Sequence, residues 1–103
     1  MPKSEGIKRM VLKKLSEVND PELGLDIVSL GLVYGVEVDE KNKKVDVKIT
    51  FTTPACPLLG FILDNVKRKL EEIEGWDFYV DVVWEPPWSP ERMSKEARKK
   101  LGL

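Results

Sequence analysis

Between Val45 and Thr52 apolar and polar residues alternate without a break: Val45, Val47, Ile49 and Phe51 against Asp46, Lys48, Thr50 and Thr52. A period of two sends these sets to opposite faces of a strand, so one face is buried and the other is wet or covered by a partner. The chain beyond this strand narrows the fold further. A punctuated stretch, Thr53-Pro54-Ala55-Cys56-Pro57, leads into about Leu58 to Ile73, where Leu59, Ile62, Leu63, Val66, Leu70 and Ile73 share one helical stripe. Gly75 is placed to end that helix. From about Asp77 to Trp84 alternation returns, with Phe78, Val80, Val82 and Trp84 set against Tyr79, Asp81 and Val83. Strand, helix and strand make a βαβ unit whose two strands run the same way, with a right-handed crossover expected.

The upstream chain supplies the rest of the layer. Ile7, Val11, Leu15 and Val18 recur at helical spacing over about Glu5 to Val18, with Ser4 as cap and Asn19-Asp20-Pro21 as the stop. Residues 20–29 read as a loop, apolar enough that part of it packs down. A strand from about Leu30 to Val38 comes next, with Leu32, Tyr34, Val36 and Val38 on one face and Gly35 and Glu37 on the other. The polar turn Asp39 to Lys44 makes it an antiparallel hairpin with the next strand. Downstream, Pro86 and Pro87 end the third strand, and a basic helix from about Glu91 to Lys100 starts from Ser89 as cap with Pro90 in its first turn. The expected architecture is α+β: one two-layer domain over residues 1–103, in the order helix-strand-strand-helix-strand-helix, with a small mixed three-stranded sheet. Whether the third strand pairs with the first or the second stays open.

Composition removes several function classes. There is no His among the 103 residues, which takes away the commonest general base, the Ser-His and Cys-His dyads and the commonest nitrogen ligand for metals. One Cys cannot close an internal disulfide. Seventeen basic and eighteen acidic side chains nearly cancel, so nothing drives the chain toward nucleic acid or a membrane surface. No apolar run reaches the roughly 18–20 residues of a membrane span, and Met1 to Arg9 lacks the apolar core of a signal peptide. The expected compartment is the cytoplasm.

Strand direction sorts the remaining candidates. Residues 52–57 leave the C-terminal end of the second strand, the 20–29 loop enters the sheet at that end, and Glu85 to Trp88 leaves there too. Asp20, Glu22, Cys56 and Trp88 are therefore expected on one edge, where ligand sites in such folds gather. With Pro57 at the first helical position, Cys56 falls at or near the helix N-cap, where free N–H groups and the dipole favour a thiolate able to bind soft metal. A lone Cys is also commonly a small buried filler. Asp20 and Glu22 are candidate ligands or acid and base, set against Asp20 as a turn cap and Glu22 as a solvated side chain. Thr50, Thr52 and Thr53 can donate to a sulfur or phosphate ligand, or simply suit a strand and a cap. Trp84 and Trp88 form a partner surface, or pack in the core and anchor the Pro-rich turn respectively.

Taken together, Asp20-Pro21-Glu22, Gly31-Leu32-Val33, Thr53-Pro54-Ala55-Cys56-Pro57-Leu58 and the run Trp84-Glu85-Pro86-Pro87-Trp88 through Ser94 resemble, in order and spacing, the small metal–sulfur cluster biosynthesis domain of SufT-like and PaaD-like proteins. A similar domain opens some P-loop cluster-carrier ATPases, but this chain has no Gly-x-x-x-x-Gly-Lys loop. The resemblance spans essentially the whole chain. It implies a factor of iron–sulfur cluster assembly or maturation, acting as cluster carrier or as adaptor to carrier and client proteins, and not a catalyst. It places the functional Cys on Cys56 and the acidic pair on Asp20 and Glu22. Since a cluster takes about four protein ligands, a transient cluster at Cys56 would be shared between two chains of a homodimer or completed by external thiols. The alternatives are a binding module without metal chemistry, presenting Trp88, the Pro-rich turn and Cys56, and a thiol enzyme with Cys56 as nucleophile and Glu22 or Asp20 as base.

Overall fold

Two amphipathic helices and one hairpin account for most of the core. In the computed structural model, which describes residues 4–21, 23–52 and 58–102, α1 (Ser4–Leu15) buries Ile7, Val11 and Leu15 and α2 (Leu59–Glu71) buries Ile62, Val66 and Leu70. Both stripes lie over the face of the sheet that carries Val45, Val47 and Ile49. Each such side chain withdrawn from water contributes roughly 1.5–3 kcal/mol. Two ion pairs join the helix ends at the surface, Lys14 Nζ to Glu72 Oε1 at 2.6 Å and Lys69 Nζ to Glu17 Oε1 at 2.9 Å.

The sheet has three strands, β3 (Val33–Asp39), β4 (Lys44–Ile49) and β5 (Asp77–Val82), in the order β3-β4-β5. β3 and β4 are antiparallel, and β5 runs parallel to β4, Val45 opposite Phe78 and Ile49 opposite Val82. The third strand thus pairs with the second, a choice that alternation alone left open, because β4 is apolar enough on its helix face to sit between two neighbours. Val36, Val38, Val45, Val47, Phe78, Val80 and Val82 share the helix face. Glu37, Asp39, Lys44, Asp46, Lys48, Tyr79 and Asp81 share the open one.

Several boundaries differ from the sequence expectation. α1 ends at Leu15, not Val18: its last turn tightens through Glu17 N–H to Lys14 C=O, and Val18 turns into the core, its C=O accepting from Ile27 N–H. The stop is therefore this turn and not Pro21. The expected loop contains a two-residue hairpin, β1 (Asn19–Asp20) with β2 (Leu25–Asp26), closed by Gly24 N–H to Asp20 C=O at 2.8 Å. A bulge between Val33 and Gly35 breaks the regular alternation expected for β3, placing Val33 opposite Ile49 but Val36 opposite Val47. α2 is capped by Glu72, and Gly75, at φ +88°, serves the turn into β5 instead. The C-terminal helix is two pieces: a 3-10 turn, Pro90–Arg92, then α3 (Lys95–Lys100). Ser94, not Ser89, caps α3, its side chain accepting from Ala97 N–H at 3.1 Å. None of the described helices is long and apolar enough to cross a membrane.

Candidate functional site

The C-terminal ends of β4 and β5 are where the described parts of the predicted edge meet. From β4, Thr50 N–H donates to Leu32 C=O at 2.8 Å, binding the end of the strand to the segment that leads into β3. That segment folds on itself: Ile27, Leu30 and Leu32 are buried, Leu32 N–H donates to Ile27 C=O, and Gly31 adopts φ +75°. The chain leaving β5 then closes over it. Trp88 Nε1–H donates to Leu30 C=O at 2.7 Å, Ser94 N–H donates to Ser29 C=O at 2.9 Å, and the Tyr34 hydroxyl donates to Pro86 C=O at 2.8 Å. The Arg92 guanidinium lies 4.7 Å from the Tyr34 ring centre, a cation–π contact. Met93 and Ala97 are buried in the main core, so this exit segment is packed as well as hydrogen-bonded.

The predicted site residues fare unequally. Asp20 is 7% exposed, at the start of the β1–β2 hairpin, and its Oδ1 accepts from Leu23 N–H at 3.4 Å. This is the turn-capping geometry of Asp. Trp88 is the anchor of the Pro-rich turn. Trp84, by contrast, is not core: it is 38% exposed and leans on buried Phe51, ring centres 6.2 Å apart. With Leu23 and Phe61 it adds exposed apolar surface to the chain. Thr50 is 1% exposed, and its Oγ1 has no hydrogen-bond partner among the described residues.

Glu22, Thr53 and Cys56 lie outside the described residues. α2 starts at Leu59 with Leu58 as its N-cap, and the expected placement of Cys56 at or near the cap, with Pro57 in the first turn, lies outside the described residues. Sequence reasoning also missed what binds the edge together. The close approach of Gly31 to Arg92 and the Leu30–Trp88 bond are contacts between residues about sixty positions apart. The only local signal was a Gly in a short apolar block.

Residues 8–82 match the family model described as iron–sulfur cluster assembly protein. The chain is 43% identical over 100 residues to the Fe-S protein maturation auxiliary factor YitW of Bacillus subtilis, covering 96% of this chain and 97% of that one. It is 48% identical over 87 residues to the Fe-S protein maturation auxiliary factor SufT of Staphylococcus aureus, covering 84% and 98%. A crystal structure of a domain of unknown function from Bacillus anthracis superposes with a TM-score of 0.88 at 44% identity, covering 96% of this chain and 94% of that one. A family model matched from the first helix through the third strand of the sheet, and relatives of nearly equal length, establish that this chain belongs to the iron–sulfur cluster assembly protein family.

Proposed function

We propose that this protein serves the maturation of iron–sulfur proteins, as a carrier of a cluster or as an adaptor between cluster carrier and client. The observation that carries this reading is the family match over residues 8–82, reinforced by full-length relatives that bear the name maturation auxiliary factor. In this reading Cys56 is the thiolate that meets iron, Asp20, Glu22 and Thr53 flank it, and the partners are cluster carriers and client proteins. The chain is an assembly factor and not a catalyst, and it works in the cytoplasm.

One cysteine and no histidine per chain cannot complete a cluster by themselves. The cluster is therefore cargo, held between the Cys56 residues of two chains or finished by external thiols. Anaerobic reconstitution with ferrous iron and sulfide, followed by native mass spectrometry, tests this. The expected result is visible absorbance and an iron- and sulfide-bearing species, both lost in Cys56→Ala. No absorbance in the wild type, or absorbance unchanged in Cys56→Ala, removes the carrier role.

The exposure of Trp84 favours the adaptor form as the second reading. Here a pull-down recovers cluster-assembly proteins equally well with wild type and Cys56→Ser, but poorly with Trp84→Ala. Recovery that depends on Cys56 and ignores Trp84 rejects it.

A further inference from the structure

β5 lies at the rim of the sheet. β4 pairs with one side of it, and among the described residues no strand pairs with the other. In a parallel ladder a residue points its N–H and C=O at the same neighbour, and the next residue points both away. Asp77 N–H donates to Lys43 C=O at 2.9 Å and Val83 N–H to Ile49 C=O at 2.8 Å. Asp77, Tyr79, Asp81 and Val83 thus bond inward, and Phe78, Val80 and Val82 turn their backbone groups to the open edge. Rim strands are usually blunted by a bulge, a proline or a lysine. β3, the opposite rim, has its bulge at Tyr34 and a side-chain tie to Pro86. β5, Asp-Phe-Tyr-Val-Asp-Val, has no bulge, proline or lysine, and its charged side chains are Asp77 and Asp81.

The two flanks of that edge differ in chemistry. On the helix side an open cleft of about 570 Å³ lies between α2 and β5, with Leu70, Trp76, Phe78 and Val80 in its wall beside the charged Lys67 and Glu71. On the other side Tyr79 stands opposite Asp46, with Asp77 opposite Lys44 and Asp81 opposite Lys48. Asp46 shares a hydrogen bond with Asp81, which pushes its carboxyl pKa up, and its Oδ1 is buried without a partner among the described residues. Two lysines, Lys44 and Lys48, share this face with five carboxylates, Glu37, Asp39, Asp46, Asp77 and Asp81; Lys48 also holds Glu37 at 3.1 Å, and Lys44 lies 6.0 Å from the Tyr79 ring centre.

We propose that the open edge of β5 receives an extended segment of a partner protein as a fourth strand, with apolar side chains in the α2–β5 cleft and alternating Lys or Arg side chains facing Asp77 and Asp81. Alternation is demanded by the pleat, because successive side chains of the added strand fall on opposite flanks. The cationic half comes from charge complementarity. A second copy of β5 is the wrong occupant, since it adds two more aspartates to a face where carboxylates already crowd. This surface is independent of whether Cys56 handles a cluster.

The test is a titration of the full-length 15N-labelled chain with an acetylated eight-residue peptide alternating Val and Lys, against a control alternating Val and Glu. The expected result is that the lysine peptide shifts the amides of Phe78, Val80 and Val82 and protects them from exchange. Tyr79 and Asp81 amides, already bonded inward, gain no protection. The double variant Asp77→Lys, Asp81→Lys, with its fold checked by circular dichroism, binds the lysine peptide roughly tenfold more weakly and gains affinity for the glutamate peptide. Absence of binding, shifts that map elsewhere, or equal affinity for both peptides overturns the proposal. So does protection of the β5 amides that grows with protein concentration in the absence of peptide, because it makes the occupant a second copy.

Discussion

Gly31→Ala probes the joint that holds the exit segment to the domain. An ideal Cβ at position 31 falls 2.2 Å from the Arg92 carbonyl oxygen and 2.7 Å from its carbonyl carbon, with φ at +75°. The obstacle is backbone and cannot swing aside. The left-handed conformation alone costs about 1–2 kcal/mol for a residue with a Cβ. Relief of the clash needs a retreat of the Arg92 backbone, which strains Ser94 N–H to Ser29 C=O and Trp88 Nε1–H to Leu30 C=O, each worth roughly 0.5–1.5 kcal/mol. The retreat also lifts Met93, 4% exposed, part of the way out of the core. The combined destabilisation is about 3–6 kcal/mol, a large share of a domain's usual 5–15 kcal/mol. Gly75→Ala is the internal control, because Gly75 has φ +88° but nothing within 4 Å of its Cβ position, so only the conformational cost of about 1–2 kcal/mol applies. Urea denaturation gives both values, and hydrogen exchange at the Ser94 amide reports whether the segment has lifted. Equal losses in the two variants, with Ser94 still protected, would refute the account.

Four further outcomes rest on individual contacts. Thr50→Val removes a buried hydroxyl that has no partner among the described residues, and urea denaturation should show a gain of about 1 kcal/mol; a loss would mean the hydroxyl is bonded. Asp46→Asn concerns pH. Its hydrogen bond to Asp81, together with burial and repulsion from that carboxylate, raises the Asp46 carboxyl above its ordinary value. A carboxyl raised by folding favours the folded state below its ordinary range and loses that advantage as pH rises past the raised value. Asp46→Asn should therefore stabilise the protein at pH 7, with the gain shrinking as pH falls into the acid range; a gain independent of pH contradicts the assignment. Glu17 and Glu72 behave in the opposite sense, their pKa values lowered chiefly by hydrogen bonds to Lys69 and Lys14. Their contribution is present above the ordinary Glu range and fades as pH falls through it, so the double variant Glu17→Gln, Glu72→Gln should flatten the acid limb of the stability curve. Trp88→Phe keeps an aromatic ring but leaves Leu30 C=O without its donor, and should cost about 1–3 kcal/mol by the same denaturation assay.

The local pattern alone determined the parts of this protein that repeat. Ile7, Val11 and Leu15, then Ile62, Val66 and Leu70, announce their helices because burial imposes the helical period. Val45, Val47 and Ile49 announce their strand because the pleat imposes a period of two. Chain direction, read from the βαβ unit, also placed the 20–29 segment and the exit from β5 at one end of the sheet. Cys56, Thr53 and Glu22 were read from motif and spacing, and their roles rest on that footing. What the pattern could not contain was any contact made between distant residues. The bulge at Tyr34, the break of the last helix at Met93 and the Gly31–Arg92 approach each satisfy a backbone group or fill a space that another part of the chain creates. The charge on the open face of β5 likewise emerged only when pairing brought Asp46 beside Asp81, thirty-five positions away in the chain. Periodicity is a property of neighbours in sequence, whereas a site is a property of neighbours in space, and only the packed fold converts one into the other.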